Sequence, residues 1–186
     1  MRKIYTSVAM LFAGTLAFGQ LSLSHVSTYE TGIFDESAAE IVTYDKGSQK
    51  LFFGNSDDNS VGILDFSNPN NPTALSSIDI DPYGDGVNSV NAYDGVIAVA
   101  VEIDESPGKV VFFQEDGTFL SQVTVGHLPD MLTFTPDGQK LIVGCEGEPS
   151  DDYLYDPEGT IGIIDVSGGF GSLTQANLTL LDFNSV

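Results

Sequence analysis

Three stretches of this chain can be laid over one another: AEIVTYDKGSQKLFFGN, VNSVNAYDGVIAVAVE and PDMLTFTPDGQKLIVGCE. Each places two β-branched or aromatic runs around a short Asp/Gly turn, the pattern of strand, tight turn, strand. The segments downstream of each repeat as well: a polar loop, then VGILDF, KVVFF or TIGIIDV, then another turn and TALSSIDI, TFLSQVTV or SLTQANLTLL. The unit is four antiparallel strands, and almost nothing in the chain carries a helical period. The matching positions Glu40, Asn88 and Asp130 lie 48 and 42 residues apart, the spacing of propeller blades of ~40 to 50 residues. A β-sandwich is the competing all-β reading, but sandwiches do not usually repeat a four-strand unit internally.

The sequence therefore predicts an all-β fold, a β-propeller of four-stranded antiparallel blades, with repeats at approximately 36–80, 86–125 and 127–181. Three blades do not close a ring, because known rings have roughly four to eight. The repeats are read as the N-terminal part of a larger ring, expected to be seven-bladed. Its remaining blades would come from the rest of a longer chain or from assembling chains. The segment LSLSHVSTYE ahead of the first repeat reads as a strand, either closing the circle on the last blade or lying at an edge.

The start, MRKIYTSVAMLFAGTLAFGQ, has a cationic opening (Arg2, Lys3), an apolar run from Ile4 to Phe18 and small residues at Ala17 and Gly19. That is the pattern of a secretory signal peptide over residues 1–19, with an apolar run too short to span a bilayer. No other stretch is apolar enough to span, so the mature part, from residue 20 to 186, is expected to have no transmembrane segment and to be secreted or displayed at the cell surface. The leader carries both a Lys and the chain's one Arg, so its removal takes the formal charge from −21 to −23. A surface with so much acid and no arginine repels nucleic acid and lacks the forks that grip phosphate. Disorder is the other reading of such charge, but 41% hydrophobic residues and regular strand patterns point to a folded body. The single cysteine, Cys145, ends the apolar run LIVGC; with no cation beside it in sequence, it reads as a buried, inert thiol.

Acid is concentrated in GCEGEPSDDYLYDPEG, where Glu146, Glu148, Asp151, Asp152, Asp156 and Glu158 occur with no Lys or Arg. In a four-stranded blade the turn entering the first strand and the loop joining the second to the third lie at the same end. Glu40, Asn88 and Asp130, with the loops 55–60, 102–108 and 145–159, are expected to gather nearly all the acid on one face of the disc. Clustered carboxylates raise one another's pKa or recruit a cation. All-oxygen ligands, an extracellular setting and scarce histidine favour Ca2+ over zinc or copper. The EF-hand pattern is absent, because Tyr153 and Tyr155 stand at alternate positions after Asp151. A solvated loop serving solubility is the alternative, while Gly147, Pro149, Pro157 and Gly159 suggest a bent, fixed loop.

Other groups carry less. His127, in VGHLPD, reads as a turn residue rather than a base, because no activated Ser or Cys adjoins it in sequence. His25 reads as a surface or packing residue, and Asn177 in NLT fits a glycosylation sequon. Phe52, Phe53, Phe112, Phe113 and Phe134 fall on predicted strands and suit packing between blades.

The blocks SHVSTYETGIFDESAAEIVTYD, GVNSVNAYDGVIAVAVE, GKVVFF, LPDMLTFTPDGQKLIVGCEGEPSDDY and DPEGTIGIIDVSGG resemble the choice-of-anchor I family of secreted bacterial proteins. The resemblance runs from about Ser24 to Gly169, with EGEP, DDY and DPEG its most specific parts. It implies a long propeller-type domain held at the surface by a C-terminal anchor or sorting signal. Some members bear phosphatase-like labels, and the fold looks similar to calcium-dependent propeller phytases, whose acids on one face bind calcium that in turn binds phosphate. By that resemblance the metal positions are Glu40, Glu146, Glu148, Asp151, Asp152, Asp156 and Glu158. Lysines confined to positions 46, 50, 109 and 140 speak against phosphate chemistry in this part of the ring. The expected function is an extracellular propeller, calcium-stabilised, binding a ligand or surface partner without catalytic machinery. The alternative is a calcium-dependent phosphoester hydrolase of propeller-phytase type, and a third reading is a plain scaffold.

Overall fold

The computed structural model describes residues 22–34, 37–150 and 152–184. The leader at 1–19, and with it the reading as a signal peptide, lies outside the described residues. Among these residues twelve strands form three four-stranded antiparallel sheets, each built from consecutive strands. The first comprises β1 (Val42–Asp45), β2 (Lys50–Asn55), β3 (Ser60–Asp65) and β4 (Thr73–Asp79). The second comprises β5 (Gly86–Tyr93), β6 (Val96–Ile103), β7 (Ser106–Gln114) and β8 (Phe119–His127). The third comprises β9 (Pro129–Phe134), β10 (Lys140–Cys145), β11 (Thr160–Asp165) and β12 (Leu178–Leu181). These are the three blades expected. Their first strands β1, β5 and β9 pack against one another, which makes them the innermost strands.

The sheets stack face to face through two apolar layers. Phe52, Val61 and Ile63 of the first blade meet Ile97, Val99, Val101 and Phe113 of the second. The opposite face of the second, with Ala98, Ala100, Val110 and Phe112, meets Leu132, Leu141, Val143 and Ile164 of the third. Both faces of β6 are thus buried, which is why VIAVAV reads as a continuous apolar run rather than an alternating one. Polar ties reinforce the stacking. Lys50 Nζ donates to the carbonyl of Glu115 at 3.2 Å and to its Oε1 at 3.3 Å, and Asn88 Nδ2 donates to the carbonyl of Pro129 at 3.3 Å.

Aspartates close the turns. Asp65, Asp116 and Asp165 accept from the amides of Ser67, Thr118 and Ser167 at 2.8, 2.9 and 3.0 Å, the side-chain turn that makes Asp favourable there. The Ser67 and Ser167 hydroxyls hold Asp65 and Asp165 below the ordinary aspartate value, as the Thr118 amide holds Asp116 and the Thr135 hydroxyl holds Asp137. Asp45 is 3% exposed. Burial pushes its carboxyl up, but donors from Ser48, Gly95 and Gly47 outweigh that and set it below the ordinary value.

Four expectations are corrected. Residues 22–34 form no strand. Instead they lie across the outward face of the first blade, with Tyr29 6.2 Å from Phe53 between ring centroids and Ser27 Oγ donating to the carbonyl of Pro69 at 2.6 Å. A segment laid on a face meets side chains, not the free edge a strand needs. The stretch SLTQANLTLL is strand only over Leu178–Leu181. Before it come 3-10 turns at Phe170–Ser172 and Gln175–Asn177, the second capped by Thr174 accepting from the Ala176 amide while Asn177 Oδ1 accepts from the Thr174 amide. The loop at 102–108 shrinks to a tight turn at Asp104 and Glu105, because β6 and β7 run on to Ile103 and from Ser106. Finally, acid is not confined to one face. Asp45, Asp65, Asp94, Glu115, Asp116, Asp137 and Asp165 sit at the opposite ends of the strands, together with Lys46, Lys50 and Lys140. The Asp/Gly turns themselves require acid there.

Candidate functional site

The third blade's long connection, residues 146–159, is a compact loop with a narrow neck. At the neck, Gly147 has φ +66 and packs against the backbone of Pro157 and Glu158, so a side chain there would collide with main chain. The neck is pinned to the link between β8 and β9: the Glu146 amide donates to the carbonyl of Leu128 at 2.9 Å and the Gly147 amide to that of His127 at 3.3 Å. Higher up, the Ser150 amide donates to the Tyr155 carbonyl at 2.8 Å, and the Tyr155 amide donates back to Ser150 Oγ at 3.1 Å. Asp152 Oδ1 accepts from the Leu154 amide at 3.0 Å and from Ser150 Oγ at 2.9 Å. The Leu154 amide first, then the Ser150 hydroxyl, hold Asp152 below the ordinary aspartate value, so it is an anion and an acceptor at neutral pH.

This tie swings Tyr155 over His127. The Tyr155 hydroxyl lies 3.0 Å from His127 Nε2, with the rings 5.5 Å apart and edge to face at 68°. Between the long loop and the β6–β7 turn of the second blade opens a cleft of about 810 Å³. Among the described residues its wall carries six carboxylates, Asp85, Glu102, Asp104, Glu105, Glu148 and Asp152, beside Ile103, Leu128, Pro149 and Pro157, and no Lys or Arg. The three sources of acid are the link between the first and second blades, the β6–β7 turn and the long loop. Glu102 is positioned by Asn88, whose Nδ2 donates to Glu102 Oε2 at 3.0 Å.

Of the residues expected from sequence, Glu148 and Asp152 line the cleft. Glu146 and Asp156 are exposed on the same loop. Glu158 accepts from Asn184 Nδ2 at 3.1 and 3.0 Å, and Glu40, on the first blade, accepts from Ser56 Oγ at 3.2 Å. Asp151 lies outside the described residues. Among the described residues, no three His, Cys, Asp or Glu side chains stand close enough to hold one metal ion. Calcium takes six to eight oxygens at roughly 2.3–2.6 Å, so the described carboxylates do not form a ready-made cage for it. Glu105 belongs to the loop 102–108 that was expected at this end with the long loop, whereas Asp85 and Tyr155 were not expected as site residues. Asp85 was within reach of sequence reasoning, since the link between blades emerges at the same end as the second-to-third-strand loops.

The site's chemistry is that of an anionic, partly apolar receptor. Cys145 is buried, and burial pushes its thiol up, away from nucleophilic use. The Ser150 hydroxyl is engaged by Asp152 and the Tyr155 carbonyl, and His127 faces a tyrosine. Among the described residues no serine–histidine pair of a hydrolase stands here. No helix among them is long and apolar enough to cross a membrane.

Solved structures with related architecture are propeller folds. A putative 6-phosphogluconolactonase from Bacteroides fragilis superposes with a TM-score of 0.55 at 15% identity, over 80% of this chain and 38% of that one. Sqt1 of Saccharomyces cerevisiae gives 0.54 at 15%, over 79% and 35%, and the endosialidase of phage phi92 gives 0.54 at 15%, over 78% and 25%. The chain thus spans well under half the length of each, and at such identity the likeness speaks for fold alone. No curated protein matches the sequence. The choice-of-anchor I domain matches residues 40–186, from the entry to the first innermost strand onward, and the chain belongs to that family.

Proposed function

We propose that this chain is part of an exported, surface-held propeller that binds a ligand or protein partner through the cleft between its second and third blades, at a cationic group of that partner. The observation that carries this reading is the cleft wall, with six carboxylates, apolar patches and no Lys or Arg among the described residues. Clefts of one sign focus the field and draw in the opposite charge, and a few polar groups on an apolar wall are the usual makeup of a ligand site. The leader at 1–19 and the family's name support export and surface display. Nucleic acid is repelled by the same charge.

Calorimetric titration of the leader-free protein with a short lysine-rich peptide tests the reading. Binding that weakens with added salt, and falls at least tenfold in Glu148→Gln with Asp152→Asn, is the expected result. No binding at millimolar peptide, or binding indifferent to the double substitution, would sink it. The second reading, a calcium-dependent phosphoester hydrolase, draws on the same acid: calcium would supply the positive charge that the cleft's side chains do not. It replaces the first if a phosphomonoester is turned over with calcium and spared with chelator.

A further inference from the structure

The turn at residues 152–155 presents two unlike surfaces. Asp152 and Tyr155 line the acidic cleft, whereas Tyr153 and Leu154, between them in sequence, stand in solvent at 79% and 87% exposure. Among the described residues no other neighbouring pair of large apolar side chains is so exposed. Scattered single leucines on a surface need no explanation, but an adjoining pair on a tied backbone does. The Tyr153 amide donates to the Ser150 carbonyl at 2.8 Å, the Leu154 amide to Asp152 Oδ1 at 3.0 Å, and the Ser150 amide to the Tyr155 carbonyl at 2.8 Å. Tyr153 sits at φ +57, where bulky side chains are seldom found. These ties hold both side chains out and bury neither. An apolar pair ordered in advance gives up little freedom on being covered, which is the condition for affinity.

The charge beside this pair restricts what covers it. A small cation would fill the cleft and leave Tyr153 and Leu154 bare. A lipid surface with anionic headgroups would be repelled by Asp152, next in sequence, and by Glu148 on the same loop. A polypeptide satisfies both surfaces at once. In an extended chain, residues two apart project to the same side, about 7 Å from one another, so a basic and an apolar side chain at that spacing match a cleft wall and an apolar apex that adjoin in this sequence.

We propose that Tyr153 and Leu154 form a second contact for the occupant of the cleft, and that this occupant is an extended polypeptide bearing a large apolar side chain two or three residues from a Lys or Arg. The inference rests on the reading of the cleft as a site for a cationic group. The carboxylates take the charge, and the apex takes the apolar side chain. Tyrosine suits such a contact, because it offers a large ring with few torsions to order.

The test is calorimetric titration of the leader-free natural chain with two peptides of equal charge: a lysine–serine peptide, and the same peptide with one serine, two residues from a lysine, replaced by leucine. The leucine peptide is expected to bind about tenfold tighter, the worth of burying one such side chain. That gain should persist in high salt, which weakens both peptides, because apolar burial is not screened. Leu154→Ser combined with Tyr153→Asn, asparagine being suited to positive φ, should abolish the gain and leave the serine peptide's affinity as it was. Both positions are exposed, so an unchanged Tm of this variant is the control for folding. If the serine peptide binds and leucine adds nothing, or adds as much in the double variant, this inference falls and the reading of the cleft stands; if neither peptide binds, both fall. Uptake by anionic vesicles, or dimerisation of the free chain, that the double variant abolishes would give the apex to a lipid surface or to a second copy, and either overturns the inference.

Discussion

Gly126, near the end of β8, stands where the second blade presses on the third. Its φ is ordinary, so backbone freedom is not the reason for glycine. A Cβ there would overlap Thr160 Oγ1 and lie 2.9 Å from Cys145 Cβ and 3.1 Å from its Sγ. All three residues are buried, and a packed interior resists an added methyl by about 1–3 kcal/mol. Gly126→Ala should therefore destabilise at the upper end of that range, about 2–3 kcal/mol, read by urea unfolding. Gly126→Ala combined with Thr160→Ala should recover much of the loss, because the colliding hydroxyl is gone. An unchanged unfolding midpoint in the single variant would show that the blades are not in contact there. The same burial explains Cys145. The sequence placed it at the end of an apolar run without cations, and the structure seals its thiol beneath the neighbouring blade.

Strands and turns were largely legible because their signals are local. Asp94-Gly95, with φ of 48° and 81°, is the two-residue turn that an Asp-Gly pair between alternating runs announces. The continuous apolar run of β6 announced a strand buried on both faces. What failed were segments whose fate depends on a neighbour. Ser22 to Phe34 begins with strand-like alternation but finds a sheet's face, not an edge. The stretch before β12 has Gly168, Gly169 and Gly171 to bend it, and Phe170 is drawn against Phe112 and Phe134, 5.7 and 6.0 Å between ring centroids. That contact cannot be read within one repeat. The candidate site divides the same way. Glu148 and Asp152 were visible as part of a dense acidic stretch, and Glu105 through the loop 102–108 expected at the same end, whereas Asp85 and Tyr155 join them only once two blades are stacked. The prediction of one acidic face failed because it counted loops and not the aspartates that close the turns at the other end.

With acid at both ends of the strands and few lysines, the molecule as a whole repels itself. Raising ionic strength from about 10 mM to about 150 mM shortens the screening length from roughly 30 Å to roughly 8 Å, and Tm should rise with it. Acid acts in the opposite sense at particular groups. Asp45, Asp65, Asp116, Asp137, Asp152 and Asp165 all lie below the ordinary value of 3.8 in the fold. A carboxyl depressed on folding contributes stability above its unfolded value and loses it as pH falls through its folded value. Their contribution should thus be complete at neutral pH, begin to fade near 3.8 and vanish below it, as a pH series of thermal melts at fixed salt would display.

The blades are strung together unequally. Six residues, 80–85, lead from β4 to β5, whereas Leu128 alone, at φ 48°, joins β8 to β9. Held at a surface as proposed, the protein would be pulled on, by flow or by whatever it holds, and tension would travel along these connectors. The first is longer but tied down, with Ile80 buried, its amide on the Asn59 carbonyl at 3.0 Å and the Asp85 amide on the Glu102 carbonyl at 2.9 Å, so its length is released only once those ties break; the second has no residue to spare, so blades two and three must move as one body. Under load the first blade should peel away alone, and the cleft between the other two should stay shut until a larger force arrives. Single-molecule stretching would separate these as two successive ruptures, and a single event would mean that the longer connector does not yield first.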